Sequence, residues 1–347
     1  MLNGVPRILI IRLSAIGDVV RVLPALHCLR ETYPNAQIDW VVEKKSAAIL
    51  EGHPAIDQLL IFERTSEFKT SFKGFRETCK QIRENRYDIV MDFHGIFKSG
   101  IMTLASRAPE RYGFSRPRSQ EGSYLLTNKR VKLGEEIVNR MHENLALCEP
   151  LVKGVKSLDV LIHIPDDALD MAEDFMEENF HGNKKIVALH PPVERPEKQW
   201  PLENYAKLSD MLISDGRFEV LLTWGPGQLD MVREVANKTT RKQVIAPETD
   251  GLKQYMALVQ SSDLYFGGDT GPMHIASALD VPVIAVFGGT KPEQHATLRQ
   301  PYRILCAQYD LPDEQHFAEI SSTDKMAMIS PEMAYDACVE LLFNSAK

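Results

Sequence analysis

Short apolar runs, each followed by a stretch of helical spacing, recur along the chain. Arg7 to Leu13 is β-branched and leucine-rich and ends at Ser14-Ala15-Ile16-Gly17-Asp18. From Val19 to Thr32 the apolar positions Val19, Val22, Leu23, Leu26 and Leu29 mark one helix face, which closes near Tyr33-Pro34-Asn35. Ile38 to Val42, Gln58 to Phe62 and Ile89 to Asp92 read as further strands, with helices at Ala47 to Glu51 and at the strongly charged Lys73 to Glu84. Strands alternating with helices build βαβ units, and so a parallel sheet covered on both faces.

The pattern changes between Asp159 and Asp174. Ile162-His163-Ile164-Pro165 closes the first series, and Asp166 to Asn179 reads as an acidic helix. A second series begins at Lys185 to Leu189 and continues through Glu219 to Trp224, Gln243 to Ile245, Leu264 to Gly267 and Val281 to Phe287. Ser330-Pro331-Glu332 places an N-cap before a Pro at the first helical position, starting a helix to about Phe343. The expected class is α/β, with two Rossmann-like doubly wound domains at 1–165 and 166–329. A terminal helical element, 330–347, would be free to pack back on the first. Ligands of open α/β sheets sit beyond the carboxyl ends of the strands, so a cleft between the domains is the expected site.

A length of 347 residues suits two cores better than one, and 44% hydrophobic with 25% charged residues is a globular composition. Arg7 leads into an apolar run too short for export or for crossing a bilayer. The five cysteines (Cys28, Cys79, Cys148, Cys306, Cys338) are scattered and never spaced as CxxC, as expected of a reducing, cytoplasmic compartment with no disulfide framework or zinc site. Charge is uneven. Residues 1–165 hold 24 Lys+Arg against 19 Asp+Glu, whereas 166–347 hold 16 against 29. Within the first half, 64–132 carries 15 basic and 7 acidic side chains, either a solvated helical face or a docking surface for an anionic partner.

Four segments can carry chemistry. Gly267-Gly268-Asp269-Thr270-Gly271-Pro272-Met273-His274 joins a strand to a helix at Met273 to Leu279. Glycines let the backbone turn and a ligand approach, Pro272 needs no N–H, and the helix start presents amides to a diphosphate. The plainer reading is an ordinary capped helix start. Leu13-Ser14-Ala15-Ile16-Gly17-Asp18 is the other strand-to-helix turn. Its single glycine is no dinucleotide fingerprint, and its Asp18 is either a first-turn aspartate or a base for an incoming hydroxyl. His190 to Pro201 is Pro-rich, and its Arg195 and Lys198 either reach phosphates or are solvated. Phe287-Gly288-Gly289-Thr290 is compatible with backbone contacts to a ligand. No Asp-x-Asp, GxxxxGK[ST], GxSxG or HExxH occurs, so any diphosphate would be neutralised by amides and Lys or Arg, without metal or cofactor.

Together these segments resemble the heptosyltransferases of bacterial lipopolysaccharide core synthesis, glycosyltransferase family 9, of GT-B fold. The residues that carry the resemblance are Ile8 to Val19 with Leu23-Pro24-Ala25-Leu26, Asp39 to Glu43 and Asp92 to Ser99. Lys198-Gln199-Trp200-Pro201, Asp269-Thr270-Gly271 with His274, and Phe287 to Thr290 complete the set. The resemblance implies an inverting, metal-independent transfer of L-glycero-D-manno-heptose from ADP-heptose to the Kdo/heptose inner core of lipopolysaccharide. It implies Asp18 as general base and Lys198, Asp269, Thr270, Gly271, His274 and Thr290 at the donor. Arg12, Ser14, Lys98 and Arg140 would face the anionic acceptor. The chain departs from the family's pattern at Asp92-Phe93-His94-Gly95, in place of Asp-x-Gln-Gly, and at Gln120, where an arginine is expected. Pro191-Pro192-Val193-Glu194 stands where small hydroxyl residues are usual. A monomer is expected, with no nucleic-acid partner and membrane contact only through the acceptor and the basic surface. Two alternatives stay open: a GT-B transferase with another nucleotide sugar or acceptor, and a non-catalytic sugar-nucleotide-binding protein.

Overall fold

The computed structural model describes residues 5–63, 68–152, 154, 157–310 and 320–344. Residues 64–67 of the basic segment and the last three of the chain lie outside the described residues. The chain divides into two compact units, residues 1–163 and 164–347.

The first unit is built on six parallel strands: β1 (Arg7–Ile11), β2 (Gln37–Glu43), β3 (Gln58–Phe62), β4 (Ile89–Asp92), β5 (Glu110–Phe114) and β6 (Lys129–Val131). Their order is β3-β2-β1-β4-β5-β6. β1 is buried from Ile8 onward and β4 throughout, as both covered faces require. The charge-rich β5 and β6 escaped the pattern reading. β6 is an edge strand with Lys129 and Arg130 exposed, where no alternation is needed.

The single helix expected from Val19 to Thr32 is two, Ile16–Val20 and Leu23–Thr32. Pro24 has no N–H to give the Val20 carbonyl, so the ladder breaks there and Val22 bonds Val19 instead, at 3.0 Å. Trp40, fully buried in β2, donates its indole N–H to the Arg12 carbonyl at 3.1 Å and so ties down the chain leaving β1.

The second unit repeats the architecture with β7 (Lys185–His190), β8 (Phe218–Leu222), β9 (Val244–Ile245), β10 (Leu264–Gly268), β11 (Val283–Phe287) and β12 (Tyr302–Cys306), all parallel, in the order β12-β11-β10-β7-β8-β9. The acidic helix is Asp166–Asn179, as expected. Trp200 packs on Tyr205 and Phe266, ring centroids 4.8 and 5.2 Å away, and donates to the Ile329 carbonyl at 2.9 Å. The terminal helix Pro331–Val339 starts at Ser330, whose Oγ accepts from Met333 N at 3.2 Å. Its Ala334, Ala337 and Cys338 are buried in one core with Leu208 and Leu212. The helix therefore completes the second unit's core rather than standing as a separate element. Among the described residues no helix is long and apolar enough to cross a membrane.

Candidate functional site

Each sheet has one point where the strand order reverses: between β1 and β4 in the first unit, and between β7 and β10 in the second. Doubly wound sheets bind ligands outside the carboxyl ends of the strands at such points. The segments that leave these four strands are those that carry Asp18, His94, Lys198 and Asp269.

In the first unit, Asp18 opens the helix Ile16–Val20 and lies between two arginines. One Oδ receives the Arg12 guanidinium, and the other receives Arg21 Nη1 at 2.7 Å. Both arginine side chains are 8% exposed, whereas Asp18 keeps 34% of its side-chain surface. Arg12 is fixed further by donating to the Phe93 carbonyl at 2.9 Å, which links the β1 and β4 turns. Burial, together with the neighbouring Arg118 and Arg21, lowers the Arg12 pKa against the pull of Asp18. The β4 turn is held by Asp92, whose Oδ1 accepts from His94 N and Gly95 N, both at 3.0 Å, while Oδ2 accepts from Ser99 Oγ at 2.9 Å. Complete burial pushes the Asp92 carboxyl up to about 6, against these hydrogen bonds. Gly95 takes φ +72°, a left-handed geometry that suits glycine.

Further charges join this cluster. Lys98 Nζ reaches Glu43 Oε1 at 2.8 Å; Arg118 Nε and Arg140 Nη1 share Glu143, at 2.6 and 2.7 Å to Oε2. Arg12, Arg21, Lys98, Arg118 and Arg140 thus stand against Asp18, Glu43, Glu143 and the Asp92 carboxyl, five cations to four acids. Ser14 is half-buried in the same turn as Asp18. Sequence reasoning missed Arg21, although its spacing of three from Asp18 on a helix signals a pair. It also missed Arg118, two residues from the Gln120 that stands in an arginine's expected place. Gln120 instead uses its backbone N–H to bond the Gly95 carbonyl at 2.8 Å.

In the second unit, Lys198 Nζ lies 2.6 Å from Asp269 Oδ2 and 3.3 Å from the Asp269 carbonyl. Thr290 Oγ1 donates to the same Oδ2 at 2.7 Å. Burial alone would raise the Asp269 pKa, but Lys198, Thr290 and the nearby His274 outweigh it and hold the carboxyl below its ordinary value. The helix Gly271–Ala278 follows directly, with Pro272 in its first turn and no side-chain cap on its amides; the Thr270 hydroxyl turns back to the Gly268 carbonyl at 3.4 Å. His274 is buried on that helix. Lys198 is held from below by a short turn whose Gln199 donates to the Pro191 carbonyl at 2.9 Å. Val193 packs over Gly268, where a Cβ would come within 3.1 Å of its Cγ1.

Arg195 is exposed and pairs with Glu197 at 2.7 Å. Gly288 and Gly289 make room for the helix Ser322–Met328, since a Cβ on Gly288 would lie 2.6 Å from Met326 and 2.7 Å from the Ser322 carbonyl.

Two doubly wound units, each with its switch point, are the GT-B fold. The family model of glycosyltransferase family 9 (heptosyltransferase) matches residues 75–327. The chain is 27% identical over 304 residues to the lipopolysaccharide core heptosyltransferase OpsX of Haemophilus influenzae, covering 85% of this chain and 82% of that protein. It is 26% identical over 302 residues to lipopolysaccharide heptosyltransferase 1 of Escherichia coli K12, covering 82% and 89%. The crystal structure of a family 9 glycosyl transferase from Veillonella parvula superposes with a TM-score of 0.85 at 22% identity over 99% of each chain. E. coli heptosyltransferase WaaC with ADP-2-deoxy-2-fluoro heptose gives 0.75 at 20% identity over 96% of this chain and 99% of that one. This chain belongs to glycosyltransferase family 9.

Proposed function

We propose that this enzyme transfers heptose from ADP-heptose to the Kdo/heptose inner core of lipopolysaccharide, with inversion and without a metal. The observation that carries the donor half is the placing of Lys198 and the uncapped start of Gly271–Ala278 at one switch point. An ammonium and a set of unpaired helix amides are what a diphosphate leaving group needs. The donor's identity is supported by the relatives' names and by the sugar nucleotide bound to WaaC. The excess of cations around Asp18 suits an acceptor bearing carboxylates and phosphates.

In the proposed step an acceptor hydroxyl oxygen attacks the anomeric carbon while the bond from that carbon to the diphosphate oxygen breaks. The proton passes to Asp18, whose carboxylate is oriented by Arg12 and Arg21. Lys198 and the amides of Thr270 and Gly271 stabilise the charge that develops on ADP. Positioned charge of this kind commonly outweighs acid–base catalysis, and the base adds a factor of about 10²–10⁴. Asp269 holds Lys198 in readiness and lies beside the donor sugar.

The test is ADP release from ADP-heptose with and without Kdo-lipid A, in the presence of a chelator. Acceptor-dependent release that ignores the chelator is expected. Asp18→Asn should lose about 10²–10⁴-fold in turnover with its ADP affinity intact. Full turnover by that variant would remove Asp18 as base, and release that requires UDP- or GDP-sugars would replace the donor.

A further inference from the structure

The segment Asp92-Phe93-His94-Gly95 enters the fold with a feature that the reaction scheme above does not use. His94 Nδ1 accepts the backbone N–H of Leu13 at 3.2 Å. That contact fixes the tautomer: in the neutral ring the proton sits on Nε2, which is then a donor. The ring is only half-buried, and among the described residues no partner for Nε2 is present. The backbone beneath it is pinned by Asp92, and the next residue has Arg118 Nη1 within 3.7 Å of its Cβ position. The charges acting on the ring are Arg12, Asp18, Lys98 and Arg118, which are members of the cluster assigned above to the acceptor. Burial first, then Arg12, Lys98 and Arg118 against Asp18, push the imidazole down to about 3, so it stays neutral through the working range.

We infer that His94 presents its Nε2–H to an acceptor oxygen beside Asp18, as a fixed neutral donor that sets acceptor recognition. The inference rests on the reading of the first unit as the acceptor side. The surrounding cations attract any anion, whereas a single N–H of fixed direction selects one arrangement of hydroxyl and carboxylate oxygens. A second role is also open to the ring, that of a clamp on the turn between β1 and Asp18, and the test must separate the two.

Two substitutions do so. His94→Gln keeps an amide N–H near the Nε2 position, whereas His94→Asn reaches only the Nδ1 position, where its Oδ1 can still accept from Leu13. Acceptor KM, kcat and the ADP dissociation constant are measured for wild type and both variants with Kdo-lipid A. Far-UV circular dichroism and a urea unfolding curve check that both variants are folded. The expected result is that Asn raises acceptor KM about tenfold, the loss of one hydrogen bond, with kcat and ADP affinity close to wild type. Gln should restore KM to within about twofold. A wild-type acceptor KM in Asn, or a Gln variant no better than Asn, would overturn the inference and leave His94 as a clamp. Wild-type enzyme that turns over no Kdo-bearing acceptor would instead bring down the functional reading, and this inference with it.

Discussion

Replacing Lys198 by methionine removes one charge from the proposed donor site and keeps the side chain's apolar stem. The ammonium and the Asp269 carboxylate, 2.6 Å apart, are 17% and 6% exposed, so the variant leaves a buried carboxylate held by Thr290 and influenced by the nearby His274. Breaking a buried pair by deleting one member costs about 3–5 kcal/mol. The Thr290 bond and the partial exposure of Lys198 place this case at about 3 kcal/mol. Lys198→Met/Asp269→Asn removes both charges and should recover about 2 kcal/mol of that loss. The assay is urea unfolding read by tryptophan emission in a Trp40→Phe background, which leaves Trp200 and Trp224 as reporters of the second unit. The pH dependence has a definite sign. In wild type the Asp269 pKa is depressed, so the pair's contribution is present above about 4 and is lost as pH falls through the lower folded value. In Lys198→Met burial is left dominant and the folded value rises. The deficit is then full at neutral pH and shrinks as pH falls through that raised value toward about 4. A variant within about 0.5 kcal/mol of wild type at pH 7.5, or a double variant no better than the single, would refute the reasoning.

Two further outcomes test the packing and the buried acid. Gly288→Ala should destabilise the second unit by about 1–3 kcal/mol, because its Cβ would meet Met326 and the Ser322 carbonyl; an unchanged urea midpoint would show that the Ser322–Met328 helix yields. Asp92→Asn removes a group whose folded pKa of about 6 lies above its unfolded one, a stabilising term present below about 4 and lost as pH rises through 6. The gap between wild type and variant in the first unit should therefore be larger at pH 4 than at pH 8, by up to about 3 kcal/mol, and a gap that is flat or widens with pH would contradict the assignment.

The strands most legible in the sequence are those buried on both faces, although the edge strands β3 and β9 are also read from their apolar residues. β1, β4, β10 and β11 announce themselves as uninterrupted apolar runs because no solvent-facing positions dilute them. β5, with Glu110 and Arg111, and the edge strand β6 carry charges that only their place in the sheet explains. The same division holds at the sites. Asp18, Lys198 and Asp269 lie within eight residues of the ends of β1, β7 and β10, so the β-to-α segments expose them to a linear reading. Arg118, Glu43 and Glu143 reach the first cluster through the order of the sheet, and no spacing in the chain predicts that order. The glycine pair at 288–289 also packs against the helix Ser322–Met328, a contact that the chain does not announce. A glycine permits close approach, but the sequence does not say whether the visitor is a ligand or a neighbouring helix.

Unit charge and site charge run in opposite directions in the second half. Residues 166–347 carry a net −13, yet the proposed ligand is a diphosphate. Much of that charge lies on the helix Asp166–Asn179, seven of whose fourteen residues are acidic and none basic. Exposed charges beyond about 8 Å are largely screened at physiological ionic strength, whereas the half-buried Lys198 and the amides at the start of Gly271–Ala278 act at contact. The acidic surface opposes any anion that approaches along it, whereas the first unit, with five cations to four acids around Asp18, attracts one. On the proposed reading, two substrates that are both anions would be treated differently: the donor held by a small built site inside an acidic unit, and the acceptor drawn to the cations around Asp18.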